Sequence, residues 1–90
     1  MSQIPDIVMY STAWCGYCQR ARNLLERKGV AVREIKVDED AKDREAMLQR
    51  SGGRRTVPQI FIGERHVGGY DDLAALDRAG ELDKLLGKSA

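Results

Sequence analysis

Several features that would point to particular classes of protein are scarce or absent in this sequence. The chain has only two cysteines and one histidine, fewer than the four ligands that a zinc ion normally takes. The formal net charge is +1, which gives no electrostatic reason to expect nucleic acid or a membrane surface as a partner. No apolar run approaches the roughly 20 residues of a membrane span. The first residues lack the basic and apolar segments of a signal peptide, so we expect a cytoplasmic protein.

The composition is otherwise that of an ordinary globular domain. Charged residues make up 32% and apolar residues 42% of the chain, a balance typical of soluble proteins. A length of 90 residues fits one domain, which we expect to span residues 1–90 and to be monomeric. Because a core of this size is small, most of the chain must contribute to it.

The first half of the chain alternates between strand and helix patterns. The apolar run Asp6–Tyr10 predicts a strand. From Cys15 the apolar period becomes helical, and Gly29 follows where a C-cap glycine belongs. Val30–Asp38 alternates as a second strand does. This strand–helix–strand unit predicts two parallel strands joined by a right-handed crossover.

The second half of the chain adds a helix, a hairpin and a final helical segment. Acidic residues precede Ala41–Arg50 and an arginine ends it, which suits the dipole of a helix. Two short strand patterns flank Gly63 and Glu64, a predicted hairpin turn. The last segment is helical and is broken at Gly80. The order β-α-β-α-β-β-α predicts an α/β fold with a mixed four-stranded sheet and helices on both faces.

Three roles compete for the cysteine pair in "CGYC". A structural disulfide between Cys15 and Cys18 would close a loop of about four residues, which restricts the unfolded chain little, and a reducing compartment would open it. A zinc half-site would need a second chain, because His66 is the one further ligand and is distant in sequence. A redox-active dithiol is favoured, because C-x-x-C beside a βαβ pattern is typical of this chemistry.

The position of the cysteines assigns a role to each. Cys15 lies at the predicted helix start, where unpaired backbone N–H groups and the helix dipole favour a thiolate. Cys18 lies three residues further along the same face, from which it can donate a hydrogen bond to Cys15 or attack it. We therefore predict that Cys15 is the exposed nucleophile and Cys18 the resolving thiol.

With its motifs "CGYC", "TVPQIFI" and "GGYDDL" in this order, the chain resembles the glutaredoxins, in particular the small dithiol type of bacteria. The resemblance covers nearly the whole chain. It implies a thioredoxin-like fold and the reduction of disulfide-containing or glutathionylated proteins, with glutathione as the reductant. It also implies a cis bond between Val57 and Pro58 beside the cysteines, with the Val57 backbone paired to the cysteinyl part of glutathione.

The resemblance further implies a set of residues that bind glutathione. These expected ligand residues are Tyr17, Arg54, Arg55, Thr56, Val57, Pro58, Gly69, Asp71 and Asp72. Glutathione carries two carboxylates and one ammonium group, so residues of both charges fit it. Asp71 and Asp72 open a predicted helix whose N–H groups can hold a carboxylate, and Asp72 can pair with the γ-glutamyl ammonium. The alternative is that either aspartate only caps the helix.

The sequence departs from the family pattern at two positions beside the cysteines. Thr12 stands where many glutaredoxins have a lysine that meets the glycyl carboxylate, so Arg54 or Arg55 is expected to supply that charge. Gly16 stands where the commonest family motif has proline. A glycine there leaves room for another function, a [2Fe–2S] cluster shared by two chains through their Cys15 thiols and two glutathiones.

A third possible function is that of a thioredoxin-like dithiol reductant that is itself reduced by a flavin reductase. Such a protein would not need charged residues placed to bind glutathione.

Two further residues have simpler expectations. Trp14 either forms part of a substrate-contact surface or is a half-buried aromatic. His66 is expected to be an exposed strand residue with no catalytic role.

Overall fold

The computed structural model describes residues 5–87, which form a mixed sheet covered by helices. The strands are β1 (Ile7–Ser11), β2 (Arg33–Lys36), β3 (Gln59–Ile62) and β4 (Arg65–Gly68). The helices are α1 (Gly16–Arg27), α2 (Ala41–Arg50), α3 (Tyr70–Arg78) and α4 (Glu81–Leu85). The first four residues, on which the expectation of no signal peptide partly rests, lie outside the described residues. No helix in the described part of the chain is long and apolar enough to cross a membrane.

The sheet has the predicted mixture of parallel and antiparallel strands. Its order is β2-β1-β3-β4, with β1 and β2 parallel and the other neighbours antiparallel. Tyr10 near the end of β1 pairs with Gln59 at the start of β3. Since β4 runs antiparallel to β3, the segments after β1, before β3 and after β4 meet at one edge of the sheet. The predicted cysteine, "TVP" and "GGYDD" motifs all lie in these three segments.

Both faces of the sheet carry a hydrophobic core, as predicted. All five residues of β1 are buried. Ile7 and Met9 pack in a cluster with apolar residues of α1, α3 and α4. Val8 and Tyr10 pack in a second cluster with Met47 of α2. Because alternate residues of a strand face opposite sides, β1 contributes to both cores, and helices cover both faces.

Some predicted boundaries differ from those in the structure. The second strand covers Arg33–Lys36 rather than Val30–Asp38, because it pairs only with the short strand β1. Helix α2 has the predicted bounds, with the Asp40 carboxylate accepting a hydrogen bond from the N–H of Lys42. Helices α3 and α4 are separated at Gly80, whose φ of 76° lies in the left-handed region where glycine is favoured.

Candidate active site

The two cysteines occupy different environments at the start of α1. Cys15 is the N-cap residue, and its sulfur accepts a hydrogen bond from the N–H of Cys18 at 3.1 Å. Cys15 is partly exposed, whereas the side chain of Cys18 is fully buried. Both are free thiols in the structure. Only Cys15 is therefore accessible to an incoming disulfide, as its predicted role requires.

Burial also separates the two thiols in their acidity. The pKa of Cys18 is raised to about 12, first by burial and then by its hydrogen bond with Cys15. A backbone hydrogen bond from Thr12 acts in the opposite direction. Cys18 is therefore protonated near neutral pH and is a poor nucleophile until it is exposed or deprotonated.

The segment before β3 lies directly beside the nucleophilic position. The bond between Val57 and Pro58 is cis, as the resemblance implied. The thiol of Cys15 donates a long hydrogen bond to the carbonyl oxygen of Val57, with 3.8 Å between sulfur and oxygen. Pro58 is buried, so this segment is anchored against the core while Val57 faces the cysteines.

A groove begins at this segment and continues to the start of α3. It is lined by Tyr17, Arg54, Thr56, Val57, Pro58, Gly69, Tyr70, Asp71 and Asp72. Tyr17 and Tyr70 form an aromatic wall, with their ring centroids 6.2 Å apart. Tyr17 is 56% exposed, and the guanidinium of Arg20 lies over its ring. The groove thus offers apolar, hydrogen-bonding and charged surfaces to a ligand of several functional groups.

Two opposite charges define one side of the groove. Nη1 of Arg54 lies 3.7 Å from Oδ2 of Asp72, and both side chains are about half exposed. The same oxygen of Asp72 accepts a hydrogen bond from the N–H of Gly69 at 2.9 Å. Asp72 therefore does cap the start of α3, but this hydrogen bond uses only one of its two carboxylate oxygens.

Because Gly68 has no side chain, it leaves the space that the Asp72 carboxylate and the Arg54 guanidinium occupy. Its φ is +114°, and a Cβ atom built there would lie 2.3 Å from Oδ2 of Asp72 and 3.0 Å from Nη1 of Arg54. A glycine can in general let a ligand approach the backbone closely. In the structure, Gly68 instead permits close approach by two side chains of the protein.

All the predicted ligand residues except Arg55 line the groove. Arg54 and Thr56 do so, whereas Arg55 between them is exposed and is not part of the lining. The sequence left open which arginine would face a ligand, and of the two only Arg54 lines the groove.

Tyr70 and Gln59 were not among the predicted site residues, and His66 was predicted to lie in a different environment. Tyr70 lines the groove, and its aromatic ring directly after the glycine pair was a usable signal. His66 is a strand residue, as predicted, but it is only partly exposed. His66 pairs across the strands with buried Phe61, so it lies on the same covered face, and the two rings stack with centroids 4.7 Å apart.

Trp14 is the most exposed large apolar side chain among the described residues. It is 97% exposed and directly precedes Cys15. The alternative that it is a half-buried aromatic is therefore wrong. Within residues 5–87, no group of three or more histidine, cysteine, aspartate or glutamate side chains could hold a metal ion, so a cluster would have to draw ligands from outside one chain.

The sequence matches known proteins over most of its length. The family model described as Glutaredoxin matches residues 7–67. A glutaredoxin of Pseudomonas aeruginosa is 59% identical over 83 residues, which are 92% of this chain and 98% of the relative. Glutaredoxin 3 of Escherichia coli K12 is 52% identical over 81 residues, 90% of this chain and 96% of the relative.

The fold of the chain is also similar to the folds of solved structures. A complex of buckwheat glutaredoxin with glutathione superposes with a TM-score of 0.82 at 33% sequence identity. The match covers 94% of this chain and 83% of the buckwheat chain. It confirms the predicted thioredoxin-like fold.

Proposed function

This chain belongs to the glutaredoxin family, and from that premise we propose that it is a glutathione-dependent thiol–disulfide oxidoreductase acting through Cys15 and Cys18. Family membership implies thiol–disulfide oxidoreductase activity. The proposal adds glutathione as the reductant and assigns the roles of the two cysteines. Its substrates would be disulfide-containing and glutathionylated proteins.

One observation carries the proposal: a groove with charges of both signs begins at the accessible thiol. Val57 lines the groove and also contacts the sulfur of Cys15. Arg54 offers a cation for a carboxylate, and Asp72 offers an anion for an ammonium group. The N-terminus of α3 adds backbone N–H groups that attract a further carboxylate. Glutathione has two carboxylates and one ammonium, so it complements this distribution, and a solved relative is a complex with glutathione.

The reaction on a glutathionylated protein proceeds through two thiol–disulfide exchanges. The Cys15 thiolate attacks the sulfur of the bound glutathionyl group, the mixed disulfide of the substrate breaks, and the protein thiolate leaves. A second glutathione thiolate then attacks the glutathione sulfur of the new mixed disulfide. Cys15 leaves as a thiolate, and the two glutathione sulfurs are joined in oxidised glutathione. The substrate has therefore been reduced by two electrons, and glutathione has been oxidised by two.

A protein disulfide follows the same first step, with Cys15 joined to one substrate sulfur. Cys18 then attacks the sulfur of Cys15 and releases the second substrate thiolate, which leaves an intramolecular disulfide for glutathione to reduce. Because Cys18 is buried and its pKa is raised, it must lose its proton for this attack. When glutathione resolves the mixed disulfide instead, Cys18 does not need to be deprotonated.

The remaining parts of the proposal follow from the reductant. A reaction that consumes glutathione needs a compartment that supplies it in reduced form, so the cytoplasm is the proposed location. We also propose that the chain acts as a single-domain monomer, because the groove and both cysteines lie within one chain.

The deciding experiment compares two reductants of the oxidised protein. We expect glutathione with glutathione reductase to restore the dithiol and to sustain turnover on a glutathionylated peptide. Thioredoxin reductase with NADPH should restore it poorly. Reduction by thioredoxin reductase alone, with no turnover on glutathione, would support the thioredoxin-like alternative and overturn the proposal.

A further inference from the structure

Gln59 is a fully buried polar residue at the start of β3 that the chemistry above does not use. Its Nε2 donates to the carbonyl oxygen of Thr56 at 3.0 Å and to the hydroxyl oxygen of Thr56 at 3.2 Å. A buried amide is costly unless its hydrogen bonds are made. Gln59 therefore fixes Thr56, the residue that precedes Val57 in the lining of the groove.

His66 completes the hydrogen bonding of Gln59 from the neighbouring strand. Its Nε2 lies 2.7 Å from Oε1 of Gln59. The amide oxygen can only accept, so Nε2 of His66 carries the proton and donates it. This bond leaves the amide nitrogen of Gln59 oriented towards Thr56. Stacking on Phe61 holds the imidazole ring in place.

We propose that His66 and Gln59 are positioning residues for glutathione, which through two successive hydrogen bonds hold Thr56 and Val57 in the register that pairs with the ligand backbone. The inference rests on the proposed function, since it names the residues behind the same groove. Neither side chain is part of the groove lining. Their effect is therefore transmitted through the backbone of the segment that ends at the cis bond before Pro58.

The charge state of His66 allows its hydrogen bond to be removed without a change of charge. Burial lowers its pKa most, and the nearby cations Arg54 and Arg50 lower it further, whereas Asp72 raises it. The imidazole is therefore neutral at about pH 7.5, above the ordinary range of histidine. Replacing it with a neutral ring at that pH removes a hydrogen bond without changing the charge beside the groove.

The test uses His66→Phe, which keeps a ring to stack on Phe61 but loses the donor. The KM for glutathione in reduction of a glutathionylated peptide should rise roughly two- to tenfold, the range for loss of one neutral hydrogen bond. Turnover of a protein disulfide with dithiothreitol as reductant, which needs no glutathione groove, should stay unchanged. His66→Gln retains an N–H donor and should fall between wild type and His66→Phe.

The matched control is Arg65→Gln, at the exposed neighbouring position of β4, and it should leave both assays unchanged. Gln59→Leu should raise the KM for glutathione at least as much as His66→Phe does. Because His66 acts through Gln59, adding His66→Phe to Gln59→Leu should raise the KM no further. If Gln59→Leu does not fold, the comparison of His66→Phe with His66→Gln decides alone.

The outcomes separate this proposal from the function on which it rests. A wild-type protein that turns over glutathione, with unchanged KM in His66→Phe, overturns the positioning role alone. The role is also overturned if His66→Phe lowers turnover with dithiothreitol as much as with glutathione, since that marks a general loss of structure. A wild-type protein with no glutathione turnover overturns both.

Discussion

Arg54 and Asp72 form an ion pair across one side of the groove, with 3.7 Å between Nη1 and Oδ2. Both side chains are about half exposed, and an exposed pair of this kind contributes only about 0–1 kcal/mol. A ligand with a carboxylate and an ammonium can therefore replace each partner at little cost. The pair keeps the two charges close to the positions from which they would meet such a ligand.

The first prediction separates the two roles of Asp72. Asp72→Asn keeps an oxygen that can accept from the N–H of Gly69 but removes the negative charge. The KM for glutathione should rise while the melting temperature stays near that of wild type. Asp72→Ala also removes the capping acceptor and should cost about 1 kcal/mol of stability in addition. Steady-state kinetics and thermal unfolding measure the two effects.

A matched control for this pair of variants is Asp40→Asn. Asp40 caps α2 through the N–H of Lys42, so the chemical change is the same at a helix start that does not line the groove. Glutathione kinetics should not change. If Asp72→Asn has the same KM as wild type, Asp72 does not bind the ligand.

The second prediction concerns the two cysteines. Cys15→Ser should abolish all thiol–disulfide exchange, because a hydroxyl is not ionised near neutral pH and forms no mixed disulfide. Cys18→Ser should retain or even increase reduction of a glutathionylated peptide, since the intermediate can no longer be diverted into the intramolecular disulfide. Reduction of a protein disulfide through the dithiol route should fall sharply. Both substrates are assayed with glutathione and its reductase.

These roles would be wrong if Cys18→Ser were inactive on the glutathionylated peptide. Residual activity of Cys15→Ser on either substrate would equally contradict them, because the buried thiol of Cys18 cannot attack a substrate disulfide that is not first joined to Cys15.

The third prediction tests the space at Gly16. This residue is the first of α1, where proline is favoured. Cys15 before it has φ −127° and ψ 109°, the extended conformation that a following proline requires. A Cβ at position 16 would meet no atom within 4 Å. Gly16→Pro should therefore fold and gain about 0.4–1 kcal/mol of stability, measured by urea unfolding.

The same variant tests the alternative of a shared cluster. Wild-type protein reconstituted anaerobically with iron, sulfide and glutathione should give a coloured dimer if the open position at Gly16 admits a [2Fe–2S] cluster. Gly16→Pro should then stay colourless and monomeric. A colourless wild-type monomer would remove the cluster hypothesis and leave the oxidoreductase proposal intact.

The fourth prediction is a pH dependence of stability from Glu34. Two hydrogen bonds from Arg22, each 2.7 Å long, lower the pKa of Glu34, and Ser11 assists them while burial opposes them. A carboxylate with a lowered pKa stabilises the fold above its unfolded pKa, and that stability is lost as the pH falls through the folded value. Glu34→Gln should be about 1 kcal/mol less stable than wild type at pH 7.

The difference between wild type and Glu34→Gln should shrink as the pH falls below about 4, the ordinary range of glutamate. Urea unfolding at pH 7 and at pH 3.5 measures it. Glu26→Gln, at an exposed position of α1, is the control. A constant difference across this range would show that the charge of Glu34 contributes nothing.

The fifth prediction concerns Trp14, which is almost fully exposed beside the nucleophile. A protein substrate that presents its disulfide to Cys15 must approach this side chain, whereas glutathione would occupy the groove, whose lining does not include Trp14. Trp14→Ala should lower kcat/KM for a protein disulfide about fivefold or more, as loss of an aromatic interface contact typically does. Turnover of a small glutathione mixed disulfide should not change. Equal losses on both substrates would contradict a role in docking.

Local signals in the sequence predict much of the fold. Helix α2 has its predicted bounds because the capping Asp40 and the glycines after Arg50 act within a few residues. The cis bond at Pro58 follows only from the resemblance to glutaredoxins, since nothing local distinguishes it from a proline that opens a strand. The motifs also predicted most of the groove, because each supplies adjacent residues at one sheet edge.

The parts that were missed depend on contacts between distant segments. The partial burial of His66 follows from its pairing with Phe61 on another strand, and strand register is not set by the residues around His66 alone. The proposed role of Gln59 depends on its hydrogen bonds with Thr56 and with His66 of the neighbouring strand. Whether Arg54 or Arg55 lines the groove depends on the path of the loop before β3, which the local sequence does not determine.

The close packing around Gly68 has a consequence for how mutations in this protein should be interpreted. Any larger residue there would displace the Asp72 carboxylate and the Arg54 guanidinium together, and would also meet the strain of a φ of +114°. A mutational survey scored on glutathione turnover would therefore assign Gly68 to the ligand-contacting surface. Its contribution is instead the space left by its missing side chain, which the Asp72 carboxylate and the Arg54 guanidinium fill.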